Sequence, residues 1–223
     1  MHISPGFLSP AVWTATAAVS GAALAASLAA AGRRLDERRV VLMGVMGAFV
    51  FAAQMVNFPV PLVPGTSGHL GGGFLLGVLL GAPPAVVVMT SILLVQAMVF
   101  QDGGIEALGA NVLTMGLIPA LVGGAVRRLW RRRAGRLADA ATFIGGLAAV
   151  LLGATVVIVL LWLSAALPGS VSLWQAVGVM DFVHLLIGAV EGAASVAVVR
   201  FVLKARPEAV FEGVGGRMEA SSA

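Results

Sequence analysis

The first two residues, Met1 and His2, carry the most distinctive chemistry in this sequence. The Met1 α-amine, the His2 backbone amide and the His2 imidazole lie on one short run of covalent bonds. Such a run can wrap a divalent metal in fused chelate rings through nitrogen ligands. A further nitrogen would complete a square plane, the geometry typical of Ni²⁺ or Cu²⁺ with nitrogen ligands. Because the chain has 3 histidines, His69 and His184 are the candidates for that position.

The composition predicts where such a site would sit. The chain is 59% hydrophobic and 11% charged, whereas a soluble domain carries roughly 25% charged residues. It is therefore predicted to be all-α and polytopic, a membrane protein with little mass outside the bilayer. Cysteine is absent, which excludes disulfides and thiolate metal sites.

The positive charges fall in clusters at 33–39, 127–136 and 200–217. Clusters beside apolar spans mark cytoplasmic loops. The apolar spans are 11–31, 40–57, 70–100, 108–126, 141–163 and 175–199.

An even number of crossings must separate the first two basic clusters, since both are expected on the cytoplasmic side. Splitting 70–100 at Pro83-Pro84 satisfies this condition, although 70–82 is then short for a span. The prediction is seven transmembrane helices with the N-terminus outside and the C-terminus inside. Residues 1–206 form a single membrane domain, and 207–223 form a cytoplasmic tail.

This topology places Met1 and His2 on the same outer side as the loop at 58–69. No Lys or Arg precedes Arg33, so the positive n-region of a signal peptide is missing. The first span is therefore predicted to be retained, with Met1 at the mature N-terminus. His184 lies about ten residues into the last span and is expected nearer the bilayer interior.

The loop after the second span is rich in glycine from Gly65 to Gly73 and contains His69. Irregular backbone at membrane depth is tolerated where protein or a cavity covers it, and the N-terminal segment is the natural cover. Thr66 and Ser67 are predicted to cap the following helix or to orient the His69 ring.

Several polar residues lie within or beside the spans, where they are costly and are usually paired or functional. Asp181 and His184 are spaced to hydrogen-bond each other, and Glu191 falls on the same helix face. Three interpretations of these residues stay open: structural polar contacts between helices, support for a metal site, or an ion path. The predicted supporting or rim residues are Asn57, Thr66, Ser67, Gln96, Asn111, His184 and Glu191.

Other functions are disfavoured by missing motifs. The sequence has no GxxxxGK[ST] loop for ATP hydrolysis, no HExxH and no GxSxG. The basic clusters are explained by topology, and the first two contain one aromatic residue, Trp130, so nucleic-acid binding is not expected. We therefore predict that the chain is not an enzyme.

Three segments closely resemble the CbiM/NikM family: 1–9 at the N-terminus, 65–70 in the loop, and 101–111, which reads QDGGIEALGAN. The helix containing His184 and Glu191 is similar as well. One departure is Ser4-Pro5-Gly6, where many members have an acidic residue in the turn. Members are the substrate-capture (S) components of energy-coupling factor ABC transporters for cobalt or nickel.

The resemblance implies a seven-helix fold with the N-terminal segment tucked into the bundle. It implies nickel or cobalt as the transported ligand, bound by the Met1 amine, the His2 amide and ring, and His69. The implied partners are a transmembrane coupling (T) protein, cytosolic ATPase subunits and a small accessory membrane subunit, in the cytoplasmic (inner) membrane. The alternative is a stand-alone secondary metal transporter or channel that uses Asp181, His184 and Glu191.

Overall fold

A computed structural model describes residues 1–33, 36–132 and 134–205. These residues form mostly helices, with a short two-stranded sheet. The elements are α1 (Pro10–Gly32), α2 (Glu37–Gln54), β1 (Phe58–Pro59), β2 (Ser67–Gly68), α3 (Gly73–Leu80), α4 (Ala82–Val95), α5 (Leu108–Asn111), α6 (Ile118–Arg132), α7 (Arg136–Leu163) and α8 (Leu173–Ala205). A π-helical turn, Gln96–Phe100, continues α4, and another, Val112–Leu117, joins α5 to α6. The predicted tail at 207–223 lies outside the described residues.

Five helices are long and apolar enough to cross a membrane: Pro10–Gly32, Ala82–Phe100, Leu108–Arg132, Arg136–Leu163 and Leu173–Ala205. The protein is therefore a multi-pass membrane protein. Helix α2 has 18 residues, but its first turn contains Glu37, Arg38 and Arg39. The sixth and seventh crossings and the orientation stay predictions.

The break predicted at Pro83-Pro84 lies just before these prolines, at Gly81. Gly81 has φ +91° and separates α3 from α4. Both prolines sit in the first turn of α4, where a missing N–H leaves no helical hydrogen bond unmade.

Helix α3 has 8 residues, which gives a length of about 12 Å. A hydrocarbon core is about 30 Å thick, so α3 cannot cross it alone. Every residue from Gly73 to Leu79 is buried. The first half of the predicted 70–100 segment thus lies inside the bundle, covered by protein.

Glycines allow the backbone of α3 to lie directly against α6. A Cβ on Gly77 would fall 2.6 Å from the Ala120 carbonyl oxygen. A Cβ on Gly123 of α6 would lie 2.9 Å from Cα of Gly77. Such contacts leave no room for a side chain at either glycine, so the position of α3 is fixed by α6.

The N-terminal segment belongs to the hydrophobic core. Met1 and Ile3 are both 0% exposed and join the same buried cluster as Met89, Met115 and Ile158. A Cβ on Gly153 of α7 would lie 3.2 Å from the Met1 sulfur. The chain start is therefore held deep among the helices.

Candidate metal centre

The backbone of the N-terminal segment is paired on both sides. Ile3 forms an antiparallel bridge with Thr66, and the Ser4 N–H donates to the Gly65 carbonyl at 2.9 Å. On the other side, the Asn111 side chain accepts from the Ile3 N–H at 2.8 Å and donates to the Ile3 carbonyl at 3.2 Å. The amide of Asn111 thus acts like a neighbouring strand and fixes the height of Met1 and His2.

Two glycines let the surrounding loops close over this segment. Gly65 has φ +75° and lies directly under the ring of Phe7. A Cβ on Gly104 would fall 2.8 Å from Cβ of Pro5. A side chain at Gly104 would push the N-terminal segment away from its present position.

The imidazole rings of His2 and His69 face each other inside the protein. Their centroids are 4.7 Å apart with an interplanar angle of 36°. Each residue is 2% exposed. The Nε2 atoms of both rings are buried without a hydrogen-bond partner among the described residues. A buried nitrogen lone pair without a partner is costly, which is expected where a ligand is meant to supply the partner.

The opposite nitrogen of each ring is held by an oxygen. His2 Nδ1 lies 2.7 Å from Asp102 Oδ1, and His69 Nδ1 lies 2.8 Å from the Leu70 carbonyl oxygen. A metal-binding histidine typically donates its other ring N–H to a carboxylate or a carbonyl. Both rings have this arrangement, with Nε2 left for a ligand.

The fused chelate predicted for Met1 and His2 needs a different nitrogen. Only Nδ1 of His2 lies close enough along the covalent chain to close a ring with the residue's own amide nitrogen. In the structure that atom is paired with Asp102. Closing the chelate therefore requires His2 to leave Asp102.

Burial keeps the candidate ligands neutral. It lowers the pKa of the Met1 amine from 8.0 to about 4, against the opposing charges of Asp102 and Glu191. Burial also lowers the pKa of His2, although the hydrogen bond to Asp102 opposes this. For His69, burial and the nearby amine bring the pKa well below its ordinary 6.5. Unprotonated nitrogens are the form that binds a metal.

The loop that carries His69 is tied to the last helix by Glu191. The Glu191 carboxylate is 4% exposed and accepts hydrogen bonds from the N–H groups of Gly71 at 2.7 Å and Gly72 at 3.0 Å. These donors are the two residues that precede α3, so Glu191 anchors the chain at the start of that helix. The Gln54 side chain donates to the Gly71 carbonyl from the other side.

The predicted roles of Thr66 and Ser67 as cap or ring partner were wrong. The Thr66 hydroxyl donates to the Val63 carbonyl at 2.8 Å and thereby closes its own turn. The Ser67 hydroxyl is buried without a hydrogen-bond partner among the described residues. The cap residue of α3 is Gly72, and the Leu70 carbonyl holds the His69 ring.

His184 lies near the pair, and among the described residues no hydrogen bond joins it to either ring. It is fully buried, its Nδ1 is bonded to the Met180 carbonyl at 2.8 Å, and its Nε2 has no partner among the described residues. The hydrogen bond predicted between Asp181 and His184 does not form. Asp181 instead accepts from the Thr155 hydroxyl at 3.2 Å, on α7.

Asp102 and Gln54 were missing from the predicted site. Asp102 lies in the segment 101–111, and Asn57, a predicted rim residue, donates to its other oxygen at 2.8 Å. Gln54 accepts from the predicted Gln96 at 3.0 Å, and Gln96 lies beside the His2 ring. The signal for Asp102 was its place in the 101–111 segment of the family resemblance, whereas the signal for Gln54 was only an amide near an apolar span.

No three side chains of His, Cys, Asp or Glu converge on a metal-sized point within residues 1–33, 36–132 and 134–205. A metal held by His2 and His69 would therefore need ligands from outside these side chains. The buried amine of Met1 and the His2 amide are the nearest nitrogens along the chain.

Comparison with known proteins agrees with the arrangement of the fold. The family model described as the cobalt uptake substrate-specific transmembrane region, CbiM, matches residues 2–209. A protein of Haloquadratum walsbyi that carries the name of a metal transport protein is 38% identical over 95% of this chain and 94% of that protein. The fused nickel transport protein NikMN of Rhodobacter capsulatus is 35% identical over 93% of this chain and 63% of that protein.

A solved structure described as a truncated transition metal transporter has the same fold. It superposes with a TM-score of 0.82 at 31% sequence identity, over 92% of this chain and 99% of that chain. Together with the family match over residues 2–209, these similarities show that the chain belongs to the CbiM family of membrane components for cobalt and nickel transport.

Proposed function

We propose that this chain captures Ni²⁺ or Co²⁺ on the outer side of the cell membrane, as the S component of an ATP-driven energy-coupling factor transporter. The ligands in this proposal are the Met1 amine, the His2 amide and ring, and the His69 ring. The observation that carries it is the burial of an N-terminal amine with a lowered pKa beside two facing imidazoles, with Nε2 of His69 left without a hydrogen-bond partner among the described residues.

The type of ligand supports a late transition metal. Amine, amide and imidazole nitrogens suit Ni²⁺, Co²⁺ and Cu²⁺, whereas Mg²⁺ and Ca²⁺ prefer oxygen. A deprotonated amide favours a square plane and so favours Ni²⁺ by geometry. The matching family is named for cobalt and one of the relatives for nickel, so both metals belong in the test.

The rest of the machinery follows from the resemblance. The sequence lacks a phosphate-binding GxxxxGK[ST] loop, so ATP-driven import needs ATPase subunits from elsewhere. We propose that these act through a transmembrane coupling protein, with a small accessory membrane subunit beside it. The outer position of Met1 in the cytoplasmic membrane, with seven crossings, is part of the same proposal.

Inserting one alanine between Met1 and His2 tests the metal site. The insertion breaks the run of bonds on which the chelate depends and displaces the amine from its pocket. We expect the purified variant to lose stoichiometric Ni²⁺ and Co²⁺, measured separately and in competition, while its helical circular dichroism is unchanged.

The matched control is an alanine inserted after Gly169. This glycine lies in the exposed turn between α7 and α8, with no atom close to where its Cβ would be. The control should bind metal as the parent chain does. Normal metal binding by the Met1–His2 insertion would show that the chelate proposal is wrong.

A stand-alone transporter is less well supported. Asp181 is bonded to Thr155 and Glu191 to the α3 backbone, so neither acid is left open along a path. Purified chain in liposomes should show no metal uptake without the ATPases. Uptake by the chain alone that is lost in Asp181→Asn would favour the rival function over import by an S component.

A further inference from the structure

A second polar region lies at the opposite end of α3 from His69. A cavity of about 840 Å³ opens there among the ends of α1, α2, α3, α4 and α6. Its wall includes Leu79 and Leu80 from the last turn of α3, and Gly81 after it. This cavity shares no residue with the candidate metal centre.

The charge of the cavity is strongly one-sided. Among the described residues its charged lining comprises five arginines and one acid: Arg33, Arg39, Arg127, Arg128, Arg131 and Asp36. The carboxylate of Asp36 already accepts the Arg39 backbone N–H at 2.8 Å, as the cap of α2. The balance leaves a concave surface with excess positive charge, which attracts anions.

One of these arginines shows how the cavity is built. Arg127 donates through Nη1 to the Val78 carbonyl at 2.9 Å and also to the Leu79 carbonyl. These carbonyls lie in the last turn of α3 and have no partner within that helix. Arg127 therefore places its charge at a fixed position in the wall, and Arg128 and Arg131 follow on α6.

The remaining lining is apolar. Leu42, Met43 and Pro83 line the same cavity. Beside it on α2, Val40 is 54% exposed and Val41 is 64% exposed, on a surface expected to face lipid. An occupant would thus meet guanidinium groups and apolar surface together, which suits an amphiphile better than a free anion.

We propose that this cavity binds the headgroup of an acidic phospholipid. Guanidinium groups bind phosphate oxygens in bidentate pairs, and basic pockets between membrane helices at the cytoplasmic side suit anionic headgroups. The acyl chains would leave along the apolar surface of α2. This inference is independent of the metal proposal, because it uses none of the same residues.

The location of arginines at one end of the bundle is explained by topology alone. The test must therefore distinguish lipid binding in the cavity from general attraction to this positive charge. The chain supplies a matched pair for this purpose. All four are exposed, but Arg128 and Arg131 line the cavity, whereas Arg38 and Arg136 lie outside its lining. Replacing either pair with glutamine removes the same charge.

The experiment is a titration of the delipidated full chain in neutral detergent with phosphatidylglycerol, followed by native mass spectrometry. Phosphatidylcholine and inorganic phosphate serve as separate arms. We expect a bound phosphatidylglycerol that Arg128→Gln/Arg131→Gln weakens by about 25-fold, at about fivefold for each arginine. Arg38→Gln/Arg136→Gln should change the affinity less than about threefold, since it leaves the cavity intact.

Equal losses in the two pairs would overturn the proposal, because the attraction would then be general. Tight binding of phosphatidylcholine, or displacement of the lipid by inorganic phosphate alone, would also overturn the proposal. The absence of any retained lipid would overturn it as well, and is the result expected if the cavity instead receives an acidic segment of a partner protein. If the glutamine pair fails to fold, Arg128→Lys/Arg131→Lys carries the test. Its affinity should fall roughly threefold, since lysine cannot bind phosphate in the bidentate mode, and an unchanged affinity would count against the site.

Discussion

Asp102 Oδ1 lies 2.7 Å from Nδ1 of His2, the nitrogen that a fused chelate would use. One nitrogen cannot bond to a carboxylate and a metal at once. In the proposal, His2 Nδ1 is therefore bonded to Asp102 in the metal-free state and to the metal in the metal-bound state. Asp102 is a stabiliser of the first state and is released in the second.

This exclusion predicts the effect of Asp102→Ala on stability. Loss of a hydrogen bond to a charged group costs about 1.5–3 kcal/mol, and the cost should fall on the metal-free protein. Thermal unfolding with and without Ni²⁺ should therefore show a larger stabilisation by metal in the variant than in the parent chain. Asn57→Ala, which removes a partner of Asp102 but leaves the contact with His2, is the control. A smaller stabilisation by metal in Asp102→Ala would mean that His2 binds through Nε2 and keeps its bond to Asp102.

The pH dependence of stability follows from the buried nitrogens. The Met1 amine has a pKa lowered to about 4 by burial, and the pKa values of His2 and His69 are lowered as well. Between pH 8 and 4 the unfolded chain thus binds more protons than the folded one, so stability falls as the pH decreases. Thermal unfolding of the metal-free protein should show this trend, with a shallower slope in His69→Gln. A flat or opposite trend would contradict the burial of neutral nitrogens.

Glu191 is expected to act on metal affinity through the loop that carries His69. Glu191→Gln places an amide where two backbone N–H groups need acceptors. Changes behind a metal ligand typically cost 10–100-fold in affinity, and we expect a loss of about tenfold for Ni²⁺ by calorimetry. Asp181→Asn, the same change on the same helix with a bond only to Thr155, should bind metal normally. Equal affinities in the two variants would remove Glu191 from the site.

Gly104→Ala tests the closure over the N-terminal segment. The added methyl would meet Pro5 at 2.8 Å, so the segment that carries Met1 and His2 must move. We expect weaker Ni²⁺ binding with little change in global stability, because Gly104 lies in a loop outside the helices. Gly178→Ala, with open space around it, is the comparison and should leave binding unchanged. Metal binding by Gly104→Ala at the parent affinity would show that this contact does not position the ligands.

The sequence was sufficient to bring the main participants together. Parity of the basic clusters placed His2 and His69 on one side, and the glycines of the loop indicated that another segment must cover it. The structure places the N-terminal segment against this loop, with Ile3 bridged to Thr66, and the membrane side of both stays a prediction. The inference about the cover succeeds because glycine content reports on close approach of backbones, which does not depend on side-chain geometry.

The partners of the histidines were beyond the reach of the sequence. Asp102 and Glu191 lie 100 and 120 residues from the groups they bond, and their choice depends on the final packing of three helices. Helix α3 shows another limit. The hydropathy of 70–82 predicts that this segment is buried away from water, but it does not distinguish burial in lipid from burial in protein.

Because α3 is short, it links the loop that carries His69 directly to the arginine-lined cavity. His69 stands four residues before its first residue, and the arginine-lined cavity begins at its last turn. The His69 loop and the cavity are separated by α3, which is about 12 Å long. Packing against α6 fixes this helix, and the hydrogen bonds of Glu191 and Arg127 hold its two ends. A displacement of α3 that starts at the arginine-lined cavity would be transmitted directly to the His69 loop, without passing through the lipid-facing helices.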